Sequence, residues 1–423
     1  MTTIVSKPPQ EAPGALGGEA ALGSIAKSSP TSDLKVAKAA RAQRYQALSQ
    51  SRGWLKPLAR KNPNKAYGWD LHRTQDCRYK RVGIGVTVHF DQKHQTAFYG
   101  DVATCGSVWA CPVCATIIQN RRRPEVQQLV DWAYDQGYQV TMLTFTFPHK
   151  AFDRLKFMLN SQADAFTRLR KGNSWDLFRK RFGFVGLVRS LENTHGANGW
   201  HPHTHEIWIT KDLTPVARGD FEAFVKRRWK MACIKAGLLD DTNKAQVFAF
   251  DLHAVDVRYD VSTSDYLVKQ DNSRKWGVDR EMTAQVAKVA PDGVTPTVHP
   301  HEFLIRQSQG DDARYREYVT GMHGKRQLYW SQGLKDLCGL KDISDEEISK
   351  EHTEKADLLA HLTDGQWNVV RGNDALAELL DAAERGGWPA ICCLLKSLGC
   401  DVLEANLLDP HFEVNRVLFA PDQ

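Results

Sequence analysis

The 423-residue sequence lacks any apolar run long enough to span a bilayer, so no membrane partner is expected. Residues 1–7 lack the apolar core of a secretory signal peptide, which predicts a cytoplasmic protein. The absence of internal repeats excludes solenoid and propeller architectures. Because 42% of the residues are apolar and 25% are charged, the composition is that of a globular protein. In the cytoplasm its nine cysteines are expected to be thiols or metal ligands rather than disulfides.

The N-terminal region contains few large apolar side chains and many Gly, Ala, Ser and Pro residues. Such a segment cannot bury enough surface to order itself, so we predict a disordered tail over residues 1–35. Residues 36–75 are predicted to form a basic helix and a connector, because Pro57 and Pro63 end the helical pattern.

Charge is distributed unevenly along the chain. Residues 341–423 contain 7 Lys and Arg against 17 Asp and Glu, whereas residues 1–340 contain 49 against 33. A basic body favours a polyanionic partner, because each neutralised phosphate releases counterions. Solvated surface charge is the alternative explanation. The basic run Arg121-Arg122-Arg123 is either an edge that contacts phosphates or a solvated helix face.

The pattern of apolar residues predicts an α+β fold with a central antiparallel sheet and flanking helices. Strand-like alternation begins near Arg81, and further strands are predicted over residues 139–147, 182–191, 200–210 and 246–259. Helices are predicted over residues 115–133, 153–170 and 221–237, and Pro124 is expected to kink or split the first of them. Residues 76–340 would form the main domain, with a zinc-knuckle insertion at residues 105–114 before the sheet. Residues 341–423 would form an acidic helical C-terminal module, with helices over 356–361, 374–383 and 388–398.

Three histidines alternate with other residues at the start of the strand predicted over residues 200–210. Because side chains of a strand alternate between two faces, His201, His203 and His205 are expected to share one face. A hairpin turn at Ala197-Asn198 places Glu192 opposite His203, and a turn one residue later places it opposite His205. Both registers predict a metal site made by His203, His205 and Glu192, which suits Mn²⁺ or Mg²⁺. His201 would take an outer role, as a DNA phosphate contact; the alternative is a structural histidine-rich strand.

A tyrosine and a lysine follow this hairpin in the sequence. Tyr266 and Lys269 lie three residues apart and would share one face of a helix that Ser262 or Ser264 caps. A phenol is a poor nucleophile at its ordinary pKa of about 10, so it needs a metal-polarised target and a nearby ammonium. A tyrosine packed in the core is the alternative, and Tyr259 is a second candidate nucleophile.

A cluster of cysteines lies before the predicted sheet. Cys105, Cys111 and Cys114 fall within ten residues and fit a structural zinc site, which needs a fourth ligand. Cys77 is the nearest further cysteine, and His72, His89 and His94 are alternatives. A set of buried structural thiols would explain the same spacing without a metal.

Four segments of the chain, in this order, resemble those of the HUH endonucleases, and in particular the replication initiators of rolling-circle plasmids. Residues 143–147 resemble the strand beside that family's metal site, and residues 201–205 resemble its histidine motif. Residues 264–269 resemble its nucleophile motif, and residues 324–335 resemble the segment that closes its catalytic domain. The resemblance covers roughly residues 75–340, so it implies an HUH-type nickase domain over residues 76–340.

The resemblance implies a metal-dependent, site-specific DNA nickase and strand-transferase. Tyr266 would attack single-stranded or extruded origin DNA, with Lys269 near the phosphate, to give a 5′-phosphotyrosine link and a 3′-OH primer. Host replication proteins are further expected partners. Members of this type often carry an acid one turn before the tyrosine; here Ser262 stands in that position, with Asp265 and Asp260 as substitutes. A relaxase, a single-strand transposase and a non-catalytic zinc-containing DNA-binding regulator are the alternatives.

Overall fold

Two larger antiparallel sheets and the helices around them make up the computed structural model, which describes residues 30–65, 69–261, 297–350 and 356–400. Its helices are α1 Pro30–Leu55, α2 Pro112–Asp135, α3 Leu155–Leu169, α4 Asn173–Arg181, α5 Arg218–Lys235, α6 Lys244–His253, α7 Glu302–Arg306, α8 Asp311–Met322, α9 Leu334–Leu337, α10 Asp345–Ile348, α11 Asp364–Gly372 and α12 Leu376–Ser397. Its strands are β1 Arg60–Lys61, β2 Trp69–Asp70, β3 Val86–Asp91, β4 Thr96–Gly100, β5 Gln139–Phe145, β6 Phe184–Gly196, β7 Gly199–Thr210, β8 Val255–Tyr259, β9 Leu328–Trp330 and β10 Asp357–Leu362. No helix within these ranges is long and apolar enough to cross a membrane.

The larger sheet has the strand order β8-β5-β7-β6-β9, and every neighbouring pair is antiparallel. The prediction of an antiparallel sheet with flanking helices is therefore confirmed. Its centre is the long β6–β7 hairpin, which turns at Ala197 and Asn198. Gly199 follows the turn with a φ of +77°, a conformation that favours glycine. A Cβ atom there would lie 2.7 Å from the carbonyl oxygen of Ala151, so the close approach of two backbones also requires glycine.

Alternation along the strands gives the sheet two different faces. On one face, Phe145 packs against Phe166 of α3 and Trp229 of α5, and Trp208 packs against Phe221 of α5. On the other face, apolar side chains of β5, β6 and β7 pack against α2: Val140, Met142, Val188, Ile207 and Ile209. Every second residue of a strand points to the same face, so Thr144 lies on the face of Met142, and His205 lies on the face of Ile207. The predicted metal ligands thus lie where the apolar cover of the sheet ends.

A buried ion cluster joins α3 to the sheet. The Glu206 side chain is fully buried and accepts hydrogen bonds from Arg170, Arg189 and the indole nitrogen of Trp208. Burial lowers the pKa of Arg170 to about 10, whereas the two guanidinium groups hold the pKa of Glu206 below its ordinary value against the opposing effect of burial. A buried carboxylate needs such partners, because an unpaired buried charge is strongly destabilising.

The second sheet has the order β10-β3-β4 and lies beneath α11 and α12. Its core joins β3 and β4, from the predicted main domain, to β10, α11 and α12 of the predicted C-terminal module. The prediction of a helix over residues 356–361 is wrong, since β10 Asp357–Leu362 pairs with β3 instead. Helix α1 also reaches this region, where Arg41 forms salt bridges with Asp381 and Glu384.

Four further predictions differ from the structure. Residues 244–253 form α6 rather than the first part of a strand, because Asn243 caps that helix by accepting from the backbone N–H of Gln246. The strand predicted from Arg81 begins at Val86, and Val82 and Ile84 before it are exposed. Helix α2 is one helix that includes Pro124, with buried residues on both sides of the proline. Helix α1 begins at Pro30, inside the predicted disordered tail; residues 1–29 lie outside the described residues.

Candidate functional site

The β6–β7 hairpin brings the three predicted metal ligands together. Its register pairs Glu192 with His203, which confirms the first of the two predicted registers. The Nε2 atoms of His203 and His205 lie 3.2 Å and 3.6 Å from the same carboxylate oxygen of Glu192. Ligand atoms of all three residues fall within 4.8 Å of one another, so this group can bind a metal ion.

Both imidazole rings are held from behind by their second nitrogen. The Nδ1 atom of His205 lies 2.9 Å from the hydroxyl of Thr144, which is its direct neighbour on β5. The Nδ1 atom of His203 lies 3.2 Å from the carbonyl oxygen of His201. Because a carbonyl only accepts hydrogen bonds, Nδ1 of His203 carries a proton, and Nε2 is the nitrogen that faces Glu192. Such contacts orient imidazole ligands at metal sites.

The carboxylate of Glu192 fits a cation. Its second oxygen, Oε1, is buried and has no hydrogen-bond partner among the described residues, which is unusual for a charged atom. Burial raises the pKa of this carboxyl, but the hydrogen bonds to His203 and His205 outweigh that effect and hold it well below its ordinary value. A set of two imidazoles and one carboxylate suits a divalent ion that keeps open positions for water and phosphate.

His201 lies outside this set and contacts another histidine. Its Nδ1 atom is 2.8 Å from Nε2 of His149, whose Nδ1 atom in turn lies 3.0 Å from the carbonyl oxygen of Asn198. Burial, together with the charges of His203 and His149, lowers the pKa of His201 to about 4, so the ring is neutral near pH 7. The sequence did not predict a role for His149, because this residue lies in the loop after β5 and meets the hairpin only in the folded structure, through its contacts with Asn198 and His201.

The predicted nucleophile cannot be placed against this site. Tyr266 and Lys269 lie outside the described residues, as do Ser262, Ser264 and Asp265. The alternative nucleophile Tyr259 lies on β8, where its hydroxyl donates to the carbonyl oxygen of Arg218. Burial raises the pKa of Tyr259 to about 12, which works against phenolate formation.

The four cysteines form a second, buried group. The Sγ atom of Cys77 lies 3.6 Å from Sγ of Cys111 and 3.5 Å from Sγ of Cys114. The Sγ atom of Cys105 lies 3.8 Å from that of Cys114. Tetrahedral zinc with Zn–S bonds of about 2.3 Å places its sulfurs roughly 3.8 Å apart, which matches these distances. Because the structure brings Cys77 to the other three thiols, it favours Cys77 over the histidine alternatives as the fourth member.

The environment of these thiols also fits a zinc ion. All four cysteines are buried and unpaired as disulfides. Burial and the neighbouring thiols raise the pKa of Cys111, whereas hydrogen bonds from the other three thiols lower the pKa of Cys114. Four thiolates at this spacing repel one another, so a dication is the natural counter-charge. The group can therefore hold zinc.

Two histidines that were not predicted connect the cysteine cluster to the metal hairpin. The Nε2 atom of His301 lies 2.8 Å from the carbonyl oxygen of Trp109, and the backbone N–H of His301 donates to Nδ1 of His299 at 3.2 Å. Next to them, Val298 pairs with His195 of β6. Burial and His301 lower the pKa of His299 to about 3, although the charge of Glu192 raises it.

The arginine run lies on α2 with three different environments. Arg122 forms salt bridges with Glu125 and Asp345 and donates to the carbonyl oxygen of Ile343, so its guanidinium is held within the protein. Arg123 is partly buried, and Arg121 is exposed to solvent. Of the three predicted phosphate contacts, Arg121 therefore offers the most accessible cation.

Comparison with known proteins gives two matches. The chain is 26% identical to the Streptomyces lividans protein named "Protein rep", over 68% of this chain and 72% of that protein. It is 33% identical to the "Neomycin resistance protein" of Streptomyces cyanogenus, over 27% of this chain and 32% of that protein. No protein-family profile matches the chain, and no solved structure matches it. By sequence, the chain is similar to a Rep protein over about two thirds of its length.

Proposed function

We propose that this protein initiates plasmid replication by nicking single-stranded or extruded origin DNA, as an HUH-type endonuclease does. In this proposal Tyr266 is the nucleophile, and Glu192, His203 and His205 hold a divalent metal, Mg²⁺ or Mn²⁺. The product is a 5′-phosphotyrosine link together with a free 3′-OH that serves as the primer for rolling-circle replication. A structural zinc ion in the four-cysteine cluster would stabilise the same domain.

One observation carries the proposal. The Glu192–His203–His205 group presents two imidazole nitrogens in fixed positions and a buried carboxylate oxygen without a hydrogen-bond partner among the described residues. A structural histidine-rich strand does not require such convergence, whereas a metal site does. The similarity to "Protein rep" over 68% of this chain supports DNA replication as the setting of this chemistry.

The reaction follows from the chemistry of the residues. The phenol oxygen of Tyr266 loses its proton and forms a bond to phosphorus. The bond from phosphorus to the 3′ oxygen breaks, and that oxygen gains a proton to become the new 3′-OH. A bound divalent ion would supply charge stabilisation at the scissile phosphate. Lys269, one helical turn from Tyr266 in the predicted helix, would add a positive charge near the same phosphate.

The test uses single strands that tile the replicon encoding this chain, so that every stretch of its sequence is presented to the protein. Wild-type protein is mixed with the labelled pool and Mn²⁺ or Mg²⁺, and covalent adducts are separated on denaturing gels. We expect a metal-dependent adduct that Tyr266→Phe and His203→Ala abolish. Tyr259→Phe is the matched control, because it removes a phenol hydroxyl on β8 that donates to the backbone carbonyl oxygen of Arg218, and it should retain the adduct.

Two results would overturn the proposal. The first is the absence of an adduct with every strand and either metal; the second is an undiminished adduct with Tyr266→Phe. Specific DNA binding without cleavage would instead favour the zinc-containing regulator. Adduct formation that survives His203→Ala would show that the hairpin histidines do not serve the reaction.

A further inference from the structure

A groove lies beside the N-terminus of α3, and none of the proposed metal ligands lines it. It encloses about 820 Å³ between the start of α3, the helix α8 and the segment after α1. The side chains that give it chemical character are Arg154, Lys156, Phe157, Asn160, Arg316 and Thr320. The groove therefore combines cations, an aromatic ring and hydrogen-bonding groups.

The charge of this groove is positive and accessible. Arg154 and Lys156 are exposed, and neither forms an ion pair within the part of the chain that the structure describes. The one carboxylate in the lining, Glu317, accepts a hydrogen bond from the backbone N–H of Leu155 at the start of α3. Lys325 donates to Asn160 at 3.1 Å and adds another cation at the rim.

Two exposed phenylalanines accompany these cations. The side chain of Phe157 in the groove is 60% exposed, and that of Phe152 in the preceding loop is 94% exposed. An aromatic ring held in solvent contributes nothing to the core, and it offers a flat face on which a nucleobase can stack. Cations that follow a backbone, combined with aromatic stacking faces, are the two features of surfaces that bind single strands.

The groove is connected to the proposed metal site by one short segment. His149 contacts His201 on the metal-site face and Asn198 at the hairpin turn, and Ala151 contacts Gly199. Arg154 lies only five residues after His149, a distance of at most about 18 Å along the chain. A single strand of a few nucleotides would therefore reach from the hairpin to the groove.

We propose that this groove, together with Phe152, binds the single-stranded DNA that flanks the cleaved phosphate. The inference rests on the proposed function and extends it by assigning the surface that holds the strand. Arg154 and Lys156 would contact phosphates, and Phe152 and Phe157 would stack on bases. Duplex DNA would bind less well, because its bases are already stacked and do not expose their faces.

The test measures binding of a labelled 20-nucleotide oligothymidylate to the full chain by fluorescence anisotropy, at several salt concentrations. Removing two single-strand phosphate contacts with Arg154→Ala/Lys156→Ala should lower the slope of log affinity against log salt by about 1.4. Phe157→Ala should weaken binding about tenfold, which is about 1.4 kcal/mol, and leave the salt slope unchanged, because it removes one base-stacking ring and no charge.

Matched controls are available on the same molecule. Arg179→Ala/Lys180→Ala removes two exposed cations from the end of α4. This helix leads into the start of β6, whereas the hairpin turn lies at the other end of that strand. Phe248→Ala removes an aromatic ring on α6 that is 67% exposed. Both controls should change affinity less than twofold. Arg154 makes no side-chain cap hydrogen bond at α3, so its removal should leave the helix intact, which circular dichroism checks.

The outcomes separate this inference from the proposed function. Groove variants that behave like the controls, or an equal affinity for duplex DNA of the same length, would overturn the inference. If the wild-type protein forms a covalent adduct in that case, the proposed nicking function stands. Weakened binding by the groove variants without any adduct would support the strand-binding surface and contradict the nickase.

Discussion

The hydroxyl of Thr144 should control metal binding although it is not a predicted ligand. It lies 2.9 Å from Nδ1 of His205 and fixes the ring so that Nε2 faces Glu192. Replacing it with valine keeps the shape and removes this hydrogen bond. A neutral hydrogen bond contributes about 1 kcal/mol, and the loss of such an orienting contact typically weakens metal binding roughly 10–100-fold. We therefore expect Thr144→Val to raise the Kd for Mn²⁺ about tenfold.

Isothermal titration of zinc-loaded protein with Mn²⁺ measures this effect. Thr144→Ser keeps the hydroxyl and should bind Mn²⁺ nearly as the wild type does. Thr146→Val is the matched control, because Thr146 lies two residues further along and its hydroxyl donates to the carbonyl oxygen of His253 instead. An unchanged Kd in Thr144→Val, with a folded protein, would refute the claim that Thr144 orients His205 as a ligand.

Three further predictions concern the zinc cluster, the buried histidines and the buried ion cluster. Cys114→Ser should remove zinc, measured as less than one ion per chain, and lower the Tm; an unchanged zinc content would contradict the four-cysteine site. His301 is 3% exposed and its pKa is lowered to about 4 by burial, so the unfolded chain binds more protons below pH 6.5. The free energy of unfolding should therefore fall on acidification, and His301 should account for about 2 kcal/mol of the loss between pH 7.5 and 5. Urea unfolding of His301→Gln should show a loss that is smaller by this amount. Glu206→Gln leaves Arg170 and Arg189 without their carboxylate and should cost about 3–5 kcal/mol in the same assay, whereas a loss below about 1 kcal/mol would show that the cluster is not needed.

The β6–β7 hairpin was predictable because the residues that determine its register lie close together in the sequence. Alternation placed three histidines on one face, and a two-residue turn fixed Glu192 opposite His203 within a span of about ten residues. The antiparallel sheet was predicted from the same kind of alternation. Continuing that alternation also explains why Thr144 shares the face of His205, once the pairing of β5 with β7 is known.

The remaining features depend on contacts between distant parts of the chain. β10 pairs with β3 about 270 residues earlier in the chain, and the sequence of this segment alone reads as a helix. His149 and His301 contact the hairpin and the cysteine cluster only through tertiary packing. In residues 244–253, the alternating apolar residues suggested a strand, whereas the capping side chain of Asn243 was the local signal for α6.

We propose that Tyr266 attacks DNA at a site whose metal is held by Glu192, His203 and His205. The most direct test is mass-spectrometric mapping of the covalent adduct after nuclease and protease digestion. We expect a single nucleotide-modified peptide that carries a 5′-phosphate on Tyr266 and that forms only when Mn²⁺ or Mg²⁺ is present. Modification of another residue, or a modified Tyr266 that forms equally well in Glu192→Gln, would contradict the account.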